Sequence, residues 1–219
     1  MLIDDYYFHL RFDGGEVALE DDDPSHYVHS IRGTVIGLDR DDNETLVGKF
    51  LLYYFDICAA VNARASVFDM FDCRAATLDY YSAIFADDSL TISESLDKLC
   101  NFESAWGNVL ILERLEILPK FRGHNLGLLV MRRLIERFGS GAAYVAIKPF
   151  PLQAEHIGSK DEDPWRAKLQ LSKLDKNHRR ATTKLHRHYR QLGFQAMKGT
   201  PFMFRMGDYA LPSPADLIK

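Results

Sequence analysis

Arg122, Gly123, His124, Asn125, Leu126 and Gly127 follow an aliphatic stretch, Leu115-Glu116-Ile117-Leu118, and a proline, Pro119, and they open a run with helical apolar spacing. Where a strand turns tightly into a helix, the first backbone N–H groups of the helix are left unpaired. Small residues at Gly123 and Gly127 let a ligand approach that backbone closely. Such a row of donors, backed by the positive end of the helix dipole, suits a pyrophosphate. It equally suits an ordinary turn whose glycines supply positive φ, and spacing alone does not choose between the two. The sequence has no GxGxxG and no GxxxxGK[ST], which disfavours a dinucleotide dehydrogenase and a P-loop NTPase.

This stretch resembles the acetyl-CoA-binding motif of the GNAT superfamily of N-acetyltransferases, Arg/Gln-x-x-Gly-x-Gly/Ala after an aliphatic strand end. Arg122 and Gly127 match it, and Asn125, which tolerates the left-handed conformation, stands where the motif has its middle glycine. A second element, Tyr189-Arg190-Gln191-Leu192-Gly193-Phe194, is similar to the superfamily's Tyr-x-x-x-Gly-Phe. Thr182 occupies the place of an asparagine usual in the family.

The resemblance implies acetyl-CoA as co-substrate, with its pantetheine arm along Ile117 and Leu118 and its pyrophosphate over Arg122, Gly123, His124, Asn125, Leu126 and Gly127. It implies direct attack by a neutral amine on the thioester. Tyr189 then protonates the departing thiolate, and phenol and thiol are expected to match closely in acidity. Glu113, expected on the same strand face as Leu115 and Ile117, is the first candidate for the base. Glu116 is the second, with an ion pair as its simpler role. His124 is expected to offer an N–H, and His186 and His188 to be surface residues.

Positioning these groups requires a strand before the turn and a helix after it. Asn108 to Leu118 reads as a central strand, Leu126 to Phe138 as an amphipathic helix and Ala142 to Ile147 as a strand parallel to the first, closing a right-handed βαβ unit. Before it, Tyr6 to Phe12, His29 to Leu38 and Thr45 to Phe55 read as strands, and Asp56 to Phe85 as helical segments. After it come a polar insertion at 153–177, headed by Asp161-Glu162-Asp163-Pro164, a helix from Arg180 to Leu192, and two strands between Phe194 and Met206. The expected fold is mixed α/β: a mostly antiparallel sheet with one parallel crossover and helices on both faces. The resemblance makes this the acyl-CoA N-acyltransferase fold, a single domain over 1–219 with a divergent acceptor-side part at 1–107 and the acetyl-CoA-binding part at 108–206.

Of 219 residues, 47% are hydrophobic, enough for one well-buried core. The acidic start Met1-Leu2-Ile3-Asp4-Asp5 is unlike a secretion signal, and no apolar run is long enough to span a bilayer, so a cytoplasmic protein without membrane contact is expected. The 3 cysteines form no CxxC pair, so no metal is expected and buried, reduced thiols are. Residues 1–110 carry 7 Lys and Arg against 21 Asp and Glu, while residues 111–219 carry 20 against 10. The acidic half, including Asp69, Asp72 and Asp79, suits a cationic acceptor, whether a small amine or a peptide or protein amine, and the basic half suits an anionic cofactor. Two other readings stay open: a catalytically silent CoA-binding sensor or scaffold, and a nucleic-acid-binding module built on Lys173, Lys176, Arg179, Arg180, Lys184, Arg187 and Arg190. That run lacks interleaved aromatics, which makes nucleic acid the weaker partner. A homodimer is compatible with the resemblance, since such enzymes frequently pair.

Overall fold

The computed structural model describes residues 5–13, 23–101, 104–155 and 164–218. Asp161, Glu162 and Asp163 of the expected helix start, and the Gly14-Gly15 turn, lie outside the described residues. One 7-stranded sheet organises the chain: β1 (Tyr7–Asp13), β2 (Val28–Leu38), β3 (Glu44–Phe55), β4 (Asn108–Ile117), β5 (Ala142–Ile147), β6 (Gln195–Ala196) and β7 (Met203–Met206). Its order is β1-β2-β3-β4-β5-β7-β6. Every neighbouring pair is antiparallel except β4 and β5, which need a crossover, supplied by α5 (Leu126–Phe138). This mixed sheet with one parallel pair agrees with the sequence pattern.

Helices lie on both faces. On one, α1 (Ile57–Ala63), α2 (Val67–Asp72), α3 (Leu78–Ile84) and α4 (Glu94–Leu99) bury Ile57, Phe71, Ile84 and Leu96 against Val109 and Ile111 of β4. On the other, Leu128, Met131 and Leu134 of α5 pack on Leu110, Leu112 and Val145, and α8 (Pro214–Leu217) adds Leu217. The helical stretch expected from Asp56 breaks into three because Arg64 enters the left-handed region at φ 63 and ends α1. The hydroxyl of Thr77 then donates to the carbonyls of Phe71 and Arg74 in the turn before α3. Side-chain caps set the starts: Asp56 accepts from the Ala59 amide, Ser66 from Asp69 and Ser93 from Leu96. α4 has no counterpart among the expected elements.

The region expected as an insertion folds onto the sheet. α6 (Pro164–Leu169) and the turn after it bury Trp165, Leu169 and Leu171 against Leu46, Leu118, Leu152 and Leu174. α7 (His178–Arg190) begins two residues earlier than expected, because the Asn177 side chain accepts from the Arg180 amide at 3.0 Å.

Two irregularities of β4 shape everything that follows. The β3–β4 ladder pairs Leu52 with Leu112 and Leu51 with Arg114, leaving Glu113 as an extra residue in a β-bulge. Side chains therefore change phase there. Val109 and Ile111 point into the cluster under α1 to α4, whereas Leu115 and Ile117 join the cluster under α5. Second, the ladder between β4 and β5 stops at Ile111 and Ala146, while β3 stays paired to β4 as far as Ile117. Beyond Ile111 the edge of β4 that faces β5 is open.

Two expectations are corrected by this arrangement. Glu113 does not share a face with Leu115 and Ile117, because the bulge reverses the alternation between them. Cys58 is exposed on α1 and Cys73 in the turn after α2, and only Cys100 is buried, with all three free. Among the described residues no helix is long and apolar enough to cross a membrane.

Candidate active site

The turn between β4 and α5 starts with a short 3-10 segment, Pro119–Phe121, in which the Phe121 amide donates to the Leu118 carbonyl and the Arg122 amide to the Pro119 carbonyl. The chain then passes through Gly123 at φ 87 and Asn125 at φ 56 before α5 begins. The carbonyl of Asn125 accepts from the Leu128 and Leu129 amides, the first helical bonds. No acceptor within the described residues meets the N–H groups of Gly123, His124, Asn125, Leu126 and Gly127, and Asn125 makes no side-chain cap. Gly123 and His124 are exposed, and nothing lies within 4 Å of a β-carbon built on Gly123. An unpaired row of amides at the positive end of a 13-residue helix is chemically suited to an anion, as a cradle of donors.

Arg122 secures this turn from below. Its Nε donates to the Ile117 carbonyl at 2.7 Å and its Nη2 to the Leu169 carbonyl at 2.9 Å. Burial lowers its pKa from the usual arginine value, yet an arginine remains cationic. Leu118 donates its N–H to the Val47 carbonyl at 2.8 Å, so this backbone donor is committed to β3. Alternation along an antiparallel ladder then turns the N–H of Ile117 away from β3, toward the open edge.

The two expected motifs meet in space. A β-carbon on Gly127 would lie 3.8 Å from Cδ2 of Leu115 on β4 and 3.9 Å from Nε2 of His188 on α7. His188 is half-buried, not on the surface, and burial lowers its pKa. Next to it, Tyr189 packs in the cluster under α5, and burial alone pushes its phenol up to about 12.

Tyr80 of α3 belongs to the cluster on the opposite face, is 1% exposed, and stacks on Phe202 with ring centroids 4.2 Å apart. Its hydroxyl is enclosed and makes no well-formed hydrogen bond, and its pKa stands well above the usual value. Burial is the main cause, the charge of Glu113 adds to it, the Lys148 backbone amide opposes it and Tyr189 adds a smaller rise. Tyr80 thus lies within electrostatic reach of Glu113, at the bulge beside the gap past Ile111 and Ala146, and of Tyr189 on the other face.

Glu113 is half-buried and has neither a hydrogen bond nor an ion pair among the described residues. Burial raises its pKa, with Arg114 and Lys148 opposing and Glu155 adding. Lys148, just after β5, holds Asp79 at 3.6 Å. Glu116 is otherwise engaged: it accepts from Trp165 Nε1 at 2.6 Å and from Arg114 Nη1 at 3.0 Å, and Arg114 also pairs with Glu155. It is a structural ion-pair partner. Asp69 and Asp72 are exposed on α2.

No family model, curated protein or solved structure matches this chain. Of the residues singled out in the sequence, the fold brings Gly123 to Gly127 next to the end of β4 and to the end of α7 that carries Tyr189, while Glu113 sits at the bulge of the same strand. Tyr80 and Lys148 stand near Glu113 unannounced, since in the sequence Tyr80 is one residue within a helical stretch and its hydroxyl acquires meaning only once the bulge sets Glu113 within its reach. The basic run lies along α7, where Arg180 and Lys184 both pair with Asp175 while Arg179, Arg187 and Arg190 line an open surface groove.

Proposed function

We propose that this chain is an N-acetyltransferase of the GNAT type, transferring an acetyl group from acetyl-CoA to an amine by direct attack. One observation carries the reading: the row of unpaired amides at the head of α5 meets α7 at His188, one residue from Tyr189, beside the end of β4 that runs on without β5. An extended amide-bearing ligand can pair with the open edge at Ile117 as a strand would, while its diphosphate meets the N–H groups of Gly123 to Gly127. The sheet order, the single parallel pair and the bulge at Glu113 support the same fold.

Acetyl-CoA supplies an activated acyl group with a thiolate as leaving group. The chain supplies position and proton handling. Glu113, deprived of partners and raised in pKa by burial, is suited to take the proton of an incoming ammonium, so that the attacking nitrogen is neutral. Lys148 and Arg114 keep the carboxylate form accessible by opposing the effect of burial. Tyr189 acts differently from the expected close match. A phenol near 12 does not readily surrender its proton to a thiolate whose acid is about 8.5 in water. Its part is to donate a hydrogen bond to the sulfur as charge develops there, and the thiolate takes its proton from water as it leaves. Asp79 and the exposed Asp69 and Asp72 favour a cationic acceptor, a small amine or the amine of a peptide or protein.

The test is direct. Calorimetry with coenzyme A measures the donor site, and thiol release from acetyl-CoA with a panel of amines measures transfer. Binding without turnover on any amine would favour a silent sensor, and no binding at millimolar coenzyme A would remove the reading.

A further inference from the structure

The segment after β7 crosses back over the α5 face, and three side chains hold it by its backbone. Arg205 Nη2 donates to the Tyr209 carbonyl, Arg132 Nε to the Pro212 carbonyl at 2.7 Å and Asn125 Nδ2 to the Leu217 carbonyl at 2.7 Å. Leu217 is 2% exposed in the cluster under α5, Leu211 packs beside it, and Ser213 and Asp216 close a capping box around α8. The last of these bonds is unusual in where it starts. Asn125 is the residue at φ 56 in the middle of the amide row, so the strap 207–218 is fastened directly to the anion cradle.

A positive φ costs a non-glycine residue energy that something must offset. Asparagine tolerates the left-handed region better than most, and its amide is commonly used on local backbone. Here that amide makes no local bond and reaches the strap instead. The tether opposes any rotation of residue 125 that would swing its N–H out of the row. A glycine would reach the same φ at less cost but could not be held there.

We infer that the strap 207–218 is a positioning element for the donor site, which fixes Asn125 in the left-handed conformation and so keeps the N–H groups of Gly123 to Gly127 aimed at one anion. This rests on the reading of that turn as the diphosphate site. By reciprocity, whatever affinity the seated strap lends to the ligand, the bound ligand returns to the strap.

The experiment is coenzyme A calorimetry on four proteins: the full chain, Asn125→Gly, a chain ending at Asp208, and the two changes combined. Asn125→Gly is expected to weaken binding about tenfold, within the range usual for coupled elements. Ending the chain at Asp208 is expected to cost at least as much, and the combination no more than the truncation alone. Amide exchange across 210–218 should slow in the full chain when coenzyme A is added and respond less in Asn125→Gly. If Asn125→Gly binds as tightly as the full chain, or the two losses simply add, the strap has no positioning role. Should the shortened chain fail to fold, Asn125→Gly decides by its affinity and its exchange. Absence of binding by the full chain itself would be a failure of the diphosphate reading instead.

Discussion

A β-carbon on Gly127 would stand 3.9 Å from Nε2 of His188, so the first turn of α5 and the last turn of α7 touch although the two residues are far apart in the chain. The space there is ordinary contact distance, with no room wasted. Gly127→Ala should therefore fold normally and gain up to about 0.5–1 kcal/mol from helix propensity. Gly127→Glu should also fold, with its carboxylate at the mouth of the anion cradle, and lose coenzyme A affinity by more than about tenfold through charge repulsion. Thermal unfolding and calorimetry on both variants separate folding from binding. Equal affinity for the glutamate variant and the wild type would move the anion elsewhere.

Tyr189→Phe removes the hydroxyl and keeps the ring packed against Phe194. The expected result is a fall in kcat of about a hundredfold, the size usual for losing one hydrogen-bond donor to developing charge, with the KM for acetyl-CoA nearly unchanged. Tyr80→Phe is the companion. Its hydroxyl is enclosed with only the Lys148 backbone amide acting on it and no well-formed bond, so its removal should stabilise the protein by up to about 1 kcal/mol, seen as a higher denaturation midpoint.

Glu113 gives a pH dependence with a defined sign. Its pKa in the folded protein is raised, so the folded state holds that proton more tightly than the unfolded chain. Its contribution to stability is greatest below the ordinary carboxylate range and is lost as pH climbs through the raised value. As a base it must be deprotonated, so kcat/KM should rise with pH through that same region. Glu113→Gln is expected to lower turnover by about a hundredfold or more, to flatten the acidic limb and to raise Tm at neutral pH. A variant with an unchanged acidic limb would show that another group accepts the proton.

Arg205 offers a test of the core. It is 2% exposed, its Nε and Nη1 have no partners among the described residues, and burial lowers its pKa despite the opposing charge of Asp208. Arg205→Met keeps the bulk and removes an uncompensated charge. A gain of about 1–3 kcal/mol is expected, the cost of polar groups buried without bonds, raising Tm by several degrees. A destabilised variant would mean that the bond to Tyr209 outweighs that cost.

Much of this architecture was legible in the residues. The apolar runs of β2, β3 and β4, the helical repeat from Leu126 and the stop at Gly139 follow from local periodicity and backbone preference, which a sequence displays. The turn at Arg122 to Gly127 was legible for the same reason, since positive φ and small side chains leave marks in composition. Glu113 was placed on the wrong face because a bulge leaves no such mark: Leu112-Glu113-Arg114-Leu115 looks like a strand interrupted by charge. Glu116 and Arg114 depended on Glu155 and Trp165, which the fold supplies from a segment that reads as polar surface. Cys58 and Cys73 were misplaced because cysteine's general preference for burial yielded to the geometry of α1 and of the turn after α2.

The extra residue at Glu113 makes β4 two half-strands of opposite parity joined in one element. Losing the codon for Glu113 would therefore straighten the strand yet leave Leu115 and Ile117 in their apolar bed, opposite the same partners on β3. Losing the codon for Arg114 instead, with the bulge kept, would turn both out of it and draw Glu116 in. A deletion in that strand is thus tolerable at one position and ruinous at the next.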